Sequence, residues 1–382
     1  MRLRVGVLTG GLDRSRYRIL SGINTFRHVY NGTVMGSSCE TLIFRVSVLS
    51  FRWFMSWLFR FSCVSLLASF ALSTALADSK VEVRRFAENP IIDASLSPTL
   101  EDKINGPSLI RVPDWVQNPL GKYYLYFAHH KGKFIRLAYA DELSGPWRIH
   151  EPGTIHLEEA QALEDHIASP DVHIDEENQI IRMYLHGSHP GTNQRTVSAT
   201  SRDGLSFDVS STVLGHSYFR VFKYEGAYYA IDSGGFLNRS GYADRGWERH
   251  ETELVGPIRT EDEFGARDDV RIRHSAVYRR GDILYLFYSR KSDAPERLMM
   301  AEVPLRGDWK TWRAGIPREV LRPALPYEGT AFPNAPSKKG GAIEVQQLRD
   351  PGIFEEEGKL YLLYSVADEM GIAIAHLEIR TD

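Results

Sequence analysis

Val277-Tyr-Arg-Arg-Gly-Asp-Ile-Leu-Tyr-Leu-Phe-Tyr288 runs as a short apolar strand, a polar turn closed by Gly281, and an aromatic-rich strand leading out again. The same order recurs at Val221-Phe-Lys-Tyr-Glu-Gly-Ala-Tyr-Tyr-Ala-Ile231 and at Ile353-Phe-Glu-Glu-Glu-Gly-Lys-Leu-Tyr-Leu-Leu-Tyr364. Alternating apolar residues around a turn with glycine at its tight position are the signature of a β-hairpin. Two further copies follow the pattern, with outgoing strands Tyr123 to Phe127 and Met183 to Leu185, so Leu109, Val172, Val221, Val277 and Ile353 fall into register as the ends of five first strands.

Working outward from each hairpin, third strands are expected at Arg136 to Ala140, Thr196 to Thr200, Arg239 to Ala243, Leu298 to Val303 and Ile372 to Leu377. In the first four units a second turn then ends on an aromatic residue, Trp147, Phe207, Trp247 or Trp309, which opens an outer fourth strand. A self-similar unit of this size, repeated five times, predicts an all-β chain folded as a five-bladed β-propeller with four-stranded blades. Unit 5 stops without a fourth strand, while Val81 to Ile92 has no unit of its own. The N-terminal strand is therefore expected to close the ring on the last blade. A β-sandwich also has many short strands, but it does not call for the repeated order of turn types. The breaker-rich segment from Arg322 to Glu344 is expected to form a loop over one face.

The chain has 382 residues and a formal net charge of -3, with a quarter of its residues charged. This is the composition of an ordinary soluble globular protein, and nothing in it points to a nucleic-acid partner. Residues 61–77 form an apolar run ending in Ala75-Leu-Ala77, preceded by a weakly basic start at Met55. That pattern predicts a signal peptide within a leader of residues 1–77, cleaved after Ala77, with Met55 as the possible true start and residues 78–382 as a single propeller domain. The expected location is secreted or periplasmic, with no stable membrane insertion after cleavage, because the run is short for a span. Both cysteines, Cys39 and Cys63, fall in the leader, so the mature domain relies on its hydrophobic core.

A propeller gathers the first strand of every blade at one axis, so register predicts a pocket. Three residues before the aligned apolar position stand Gly106, Ser169, Tyr218, His274 and Asp350, and one before it stand Ser108, Asp171, Arg220, Ala276 and Gly352. By strict alternation both sets face the channel. With Asn105, Arg273 and Arg349 at the strand starts, the expected site holds two carboxylates, a histidine and several guanidinium groups.

Paired carboxylates suit glycosidic bond cleavage, one as acid and the other as base or nucleophile. Asp171 and Asp350 are the expected pair, although each could instead serve a structural ion pair. Glu328, in the long loop, is a third candidate that reads equally as turn chemistry. His166 and His274 are candidates for proton transfer or for hydrogen bonds to sugar hydroxyls. Asn105, Arg220, Arg273, Arg349, Tyr218 and His129 are expected to bind substrate, an oligo- or polysaccharide, and the arginine forks would suit an anionic sugar. No zinc spacing is present, no cofactor is called for, and a structural calcium in the channel is possible.

Through Ser169-Pro-Asp-Val172, Arg349-Asp-Pro-Gly-Ile353, the aromatic second strands and Leu137-Ala-Tyr-Ala-Asp141, residues 83–382 resemble the five-bladed propeller glycoside hydrolases. That group includes family 43 arabinanases and xylosidases, family 32 invertases and family 117 anhydrogalactosidases. The resemblance implies hydrolysis by acidic residues on the first strands. The chain departs from it at Asn105-Gly-Pro-Ser108, where an Asp would be expected, and at Arg220, whose strand has no carboxylate. A polysaccharide lyase using arginine to neutralise a uronate, and a non-catalytic sugar-binding propeller, are the alternatives.

Overall fold

The computed structural model describes residues 79–382 apart from 102, 257, 262–266, 271, 291–292, 337–343 and 381–382. The expected leader with its expected signal peptide, and both cysteines, lie outside the described residues.

The strands fall into five blades. An N-terminal β1 (Lys80–Arg85) and β2 (Ile92–Asp93) precede blade 1, which is β3 (Asn105–Arg111), β4 (Tyr123–Ala128), β5 (Phe134–Ala140) and β6 (Arg148–His156). Blade 2 is β7 (Glu164–Asp175), β8 (Ile180–Ser188), β9 (Arg195–Ser201) and β10 (Asp208–Val209), with β11 (Gly215–His216) also on β9. Blade 3 is β12 (Arg220–Tyr224), β13 (Ala227–Ile231), β14 (Phe236–Ser240) and β15 (Glu248–Glu253), followed by a separate hairpin of β16 (Ile258–Glu261) and β17 (Arg267–Val270). Blade 4 is β18 (Ser275–Arg280), β19 (Ile283–Tyr288), β20 (Leu298–Pro304) and β21 (Arg318–Leu321). Blade 5 is β22 (Leu348–Glu356), β23 (Lys359–Val366) and β24 (Gly371–Arg380), and β1 completes it antiparallel to β24, with Lys80 opposite Arg380. The ring thus closes as the unpaired N-terminal segment predicts.

The hydrophobic cores lie between blades. Tyr126, Leu137, Ile181 and Val197 join blades 1 and 2, Ile231 and Leu286 join 3 and 4, Phe287 and Leu362 join 4 and 5, and Leu125 and Leu363 join 5 and 1. The seam between blades 2 and 3 is thinner, with five buried residues, Tyr184, Leu214, Phe219, Val221 and Ala230. Burying one large apolar side chain contributes roughly 1.5–3 kcal/mol, so this seam leans more than the others on polar links. One such link is the Val221 amide, which donates to Asp171 across the seam at 2.8 Å.

The inner strands are not regular. Pairing slips between Asn105 and Ser108, between Ala168 and Asp171, and between Arg349 and Gly352. At the same repeat position the backbone is left-handed, with φ +66° at Gly106, +54° at Ser169, +73° at Tyr218 and +49° at Asp350. A bulge inserts one residue and re-aims the side chains around it. Strict alternation therefore fails here, which bears directly on the site. Tight approach of neighbouring inner strands also fixes composition: a Cβ at Gly352 would sit 2.6 Å from the Pro107 carbonyl oxygen.

Candidate active site

The axial residues fall into two tiers. Those three before the aligned apolar position, Ser169, Tyr218, His274 and Asp350, line a cavity of 440 Å³ together with Asn105, His129, His130, Lys131, His166, His186, Arg273 and Glu369. Those one before it, Ser108, Asp171, Arg220, Ala276 and Gly352, line a second cavity of 350 Å³ further along the same strands. The expectation that Asp171 and Asp350 share one pocket is therefore corrected. Both strands face the axis, but the bulge puts the two carboxylates at different depths.

Arg220 separates the tiers. Its Nε donates to the Ser275 carbonyl at 2.9 Å and its Nη1 to the Ser169 and Phe219 carbonyls at 3.2 Å, while its guanidinium carbon lies 5.0 Å from the Tyr218 ring centroid. It is thus part of the floor, not a free binder of substrate in the first cavity.

In that first cavity Asp350 is buried, and the Tyr218 hydroxyl donates to its Oδ1 at 2.5 Å. The Tyr218 ring lies between two imidazoles, stacked on His274 at 5.0 Å and tilted against His186 at 4.9 Å. The His274 Nδ1 lies 3.1 Å from Asp350 Oδ1. Burial, followed by the Glu369 charge, pushes the Asp350 carboxyl up to about 6, against the pull of Tyr218, Arg349 and Arg273. Burial would also raise Glu369, but His130, Arg349 and Asn105 outweigh it and bring that carboxyl down to about 2. Arg349 Nη1 donates to Glu369 Oε1 at 2.7 Å and Asn105 Nδ2 to Oε2 at 2.8 Å. The cavity thus holds one carboxyl that keeps its proton to unusually high pH and one that loses it readily.

Three of the histidines, His274, His186 and His166, are held toward their neutral form. Burial, then the Arg273, Arg349 and Arg220 charges, holds His274 well below its ordinary range, and burial with His166 and Arg220 takes His186 down to about 3. His166 is lowered mainly by burial and meets Ser188 Oγ at 3.3 Å. His129 sits on the rim, 3.1 Å from Glu101.

Other expected residues lie elsewhere. Arg349 is 1% exposed and sits behind the wall, bridging Glu369, Asp368 and, at 3.8 Å, Glu296. Arg273 does line the cavity, paired with Glu296 at 3.3 Å. Glu328 is fully buried on a short turn, clamped by Arg85 at 2.7 Å and by the Ala324 and Leu325 amides and the Tyr364 hydroxyl. It ties the loop to β1, so its expected catalytic role is corrected to a structural one. Trp147, Phe219 and Phe332 fill the interblade cores, leaving Tyr218 as the aromatic ring at the cavity. Among the described residues no group of three or more His, Cys, Asp or Glu side chains is arranged to hold a metal ion.

Glu369, the partner of Asp350, escapes a reading confined to first strands. It belongs to the β23–β24 turn, where Ala367, Asp368 and Glu369 are all left-handed, with φ of +49°, +65° and +65°. Non-glycine residues held so cost roughly 1–3 kcal/mol each and tend to collect at functional sites. The turns between second and third strands return to the face where first strands begin, and they deliver His129, His130, Lys131 and Gln194 as well.

Among known proteins, the uncharacterized protein R118 of Acanthamoeba polyphaga mimivirus is 38% identical over 335 residues, spanning 81% of this chain and 94% of that one. The chain belongs to the R118 family. No protein-family model matches it. Solved structures with the same fold include a glycoside hydrolase described as putative from Bacteroides ovatus (TM-score 0.53, 14% identity, 79% of this chain and 96% of that one). They also include CoXyl43, a family 43 β-xylosidase/α-arabinofuranosidase from a compost metagenome in complex with xylotriose (TM-score 0.52, 14% identity, 78% and 95%). A family 43 enzyme of Xanthomonas citri, seen also with xylose, matches at TM-score 0.51 and 12% identity over 80% and 90%. At these identities the likeness establishes the five-bladed propeller, and the chemistry must be argued from this chain's own residues.

Proposed function

We propose that this R118-family protein is a glycoside hydrolase that removes a terminal sugar from an oligo- or polysaccharide. The observation that carries the reading is the pair Asp350 and Glu369, two buried carboxyls on one cavity with affinities for protons pushed in opposite directions. Environments that separate two carboxyls in this way assign their roles. Asp350, protonated up to about pH 6, donates to the departing glycosidic oxygen. Glu369 supplies the ionised carboxylate that such cleavage requires. Tyr218 holds Asp350 in place, and His166, His186 and His274, being neutral, are suited to hydrogen bonds with sugar hydroxyls.

A cavity floored by Arg220 and Tyr218 accepts a chain end. Lys131 and Arg273 on its wall support an acidic terminal sugar. The proposed reaction needs no cofactor, and export follows from the leader composition of residues 61–77. Screening residues 78–382 against neutral and acidic oligosaccharides tests the reading: a released terminal monosaccharide, lost in Asp350→Asn and Glu369→Gln, is the expected result. Absence of product across the panel, or full activity of Asp350→Asn, overturns it.

Tyr218 close to His274 and Arg273 is also the equipment of a lyase that abstracts a proton beside a uronate. A product absorbing in the ultraviolet would decide for that chemistry.

A further inference from the structure

The second cavity is a site in its own right, and we propose that it binds an oxyanion, the carboxylate of an acidic sugar or free phosphate or sulfate, at the mouth opposite the candidate active site. Its walls come from all five blades: Ser108 from the first, Asp171 and His173 from the second, Arg220 and Lys223 from the third, Arg279 from the fourth and Glu355 from the fifth. The balance of donors and acceptors identifies the ligand class.

The acceptor at its centre is already engaged. Asp171 Oδ2 takes the His173 Nε2 contact at 2.8 Å and the Val221 amide at 2.8 Å. Burial would raise this carboxyl, but His173, Arg220 and that amide outweigh it and keep it ionised below its ordinary range. It is therefore a counter-charge built into the wall, its Oδ2 taken up by these two donors. Glu355 stands exposed at the rim.

The donors are the groups with capacity to spare. Ser108 Oγ accepts the Val172 amide at 2.9 Å, which leaves its own hydrogen to give. Arg220 is 4% exposed, its plane fixed by three backbone carbonyls through Nε and Nη1, so Nη2 remains for the cavity it lines. Arg279 spends Nη1 on the Gly281 carbonyl at 2.8 Å. Lys223 lies over the Tyr228 ring at 4.9 Å, an ammonium within reach of the opening. A guanidinium fixed in advance, a hydroxyl donor and two further cations form a receptor for an oxyanion.

The test is calorimetric titration of residues 78–382 with galacturonate, inorganic phosphate and sulfate, each against sodium chloride at matched ionic strength. Saturable binding of at least one, weakened about tenfold or more in a Lys223→Ala/Arg279→Ala double variant and kept in Lys131→Ala, is the expected result. Binding of galacturonate alone identifies an acidic sugar as the ligand, and binding of phosphate or sulfate an inorganic one. No saturable binding overturns the proposal, as does binding that survives the double variant but is lost in Lys131→Ala. Lys223 and Arg279 stand apart from the candidate catalytic pair, so hydrolysis persists in the double variant, and failure of this proposal leaves the proposed activity standing.

Discussion

Asp350 and Asp171 sit on equivalent inner strands of blades 5 and 2, a bulge apart in depth, and the protein treats them in opposite ways. Asp350 is buried beside a second carboxyl, takes one short hydrogen bond from Tyr218, and holds its proton to about pH 6. Asp171 is surrounded by a histidine, an arginine and a backbone amide from the next blade, and stays ionised. Residue type alone does not make a catalytic acid; desolvation next to a like charge does. The same carboxyl chemistry, given donors instead, becomes a link across the thinnest seam of the ring.

The sharpest way to break the comparison is to neutralise each in turn. Asp350→Asn should lower kcat/KM by about 10³-fold with the fold intact, the scale on which a general acid contributes. Asp171→Asn should leave kcat/KM within about threefold of the parent, since it touches the other cavity. Steady-state rates and circular dichroism on both variants check this, and equal losses would show the two tiers to be one site.

Glu369→Gln comes next, with an expected fall of about 10²-fold and a displaced pH profile. The parent rate should decline above about pH 6 as Asp350 loses its proton. Removing the Glu369 charge eliminates one cause of the raised value, so the alkaline limb should move to lower pH. Tyr218→Phe makes a smaller change of opposite sign. Its hydroxyl favours the ionised Asp350, so without it the limb should move up while the rate falls about tenfold, the cost of one charge-assisted hydrogen bond. Two limbs shifting the same way would remove the assignment of the profile to Asp350.

The propeller was legible because hairpin turns and aromatic second strands are local patterns, and five copies of a local pattern reinforce one another. The axial residues were legible as a set for the same reason: Asp350, His274, Tyr218, Asn105, His166 and Arg273 all reach the first cavity. Depth was not, because the bulges of blades 2 and 5 are a matter of φ at Ser169 and Asp350, neither of which is a glycine that would announce it. Glu369 was hidden for a related reason. Its turn carries Ala367, Asp368 and Glu369 in left-handed backbone, where composition would favour glycine or asparagine. Glu328 misled because loop position does not reveal burial, and Arg85, its partner, is 243 residues away in sequence.

The smallest expected effect concerns stability at the seam between blades 2 and 3. Replacing Asp171 by Asn leaves the Val221 amide and His173 with a weaker acceptor, at the seam whose buried core is the smallest, five residues. A loss of about 1–3 kcal/mol at neutral pH is expected from removing the charged partner of a buried amide. The sign of its pH dependence follows from linkage. The Asp171 carboxyl is held below its ordinary value in the folded protein, so its contribution is present above the unfolded value near 3.8 and fades as pH falls through the lowered folded one. Denaturant midpoints of the parent and Asp171→Asn should therefore differ at pH 7 and converge in strong acid. A difference that persists unchanged at the lowest pH the fold tolerates would mean that the side chain acts there by shape, and that its ionisation has no part in closing the ring.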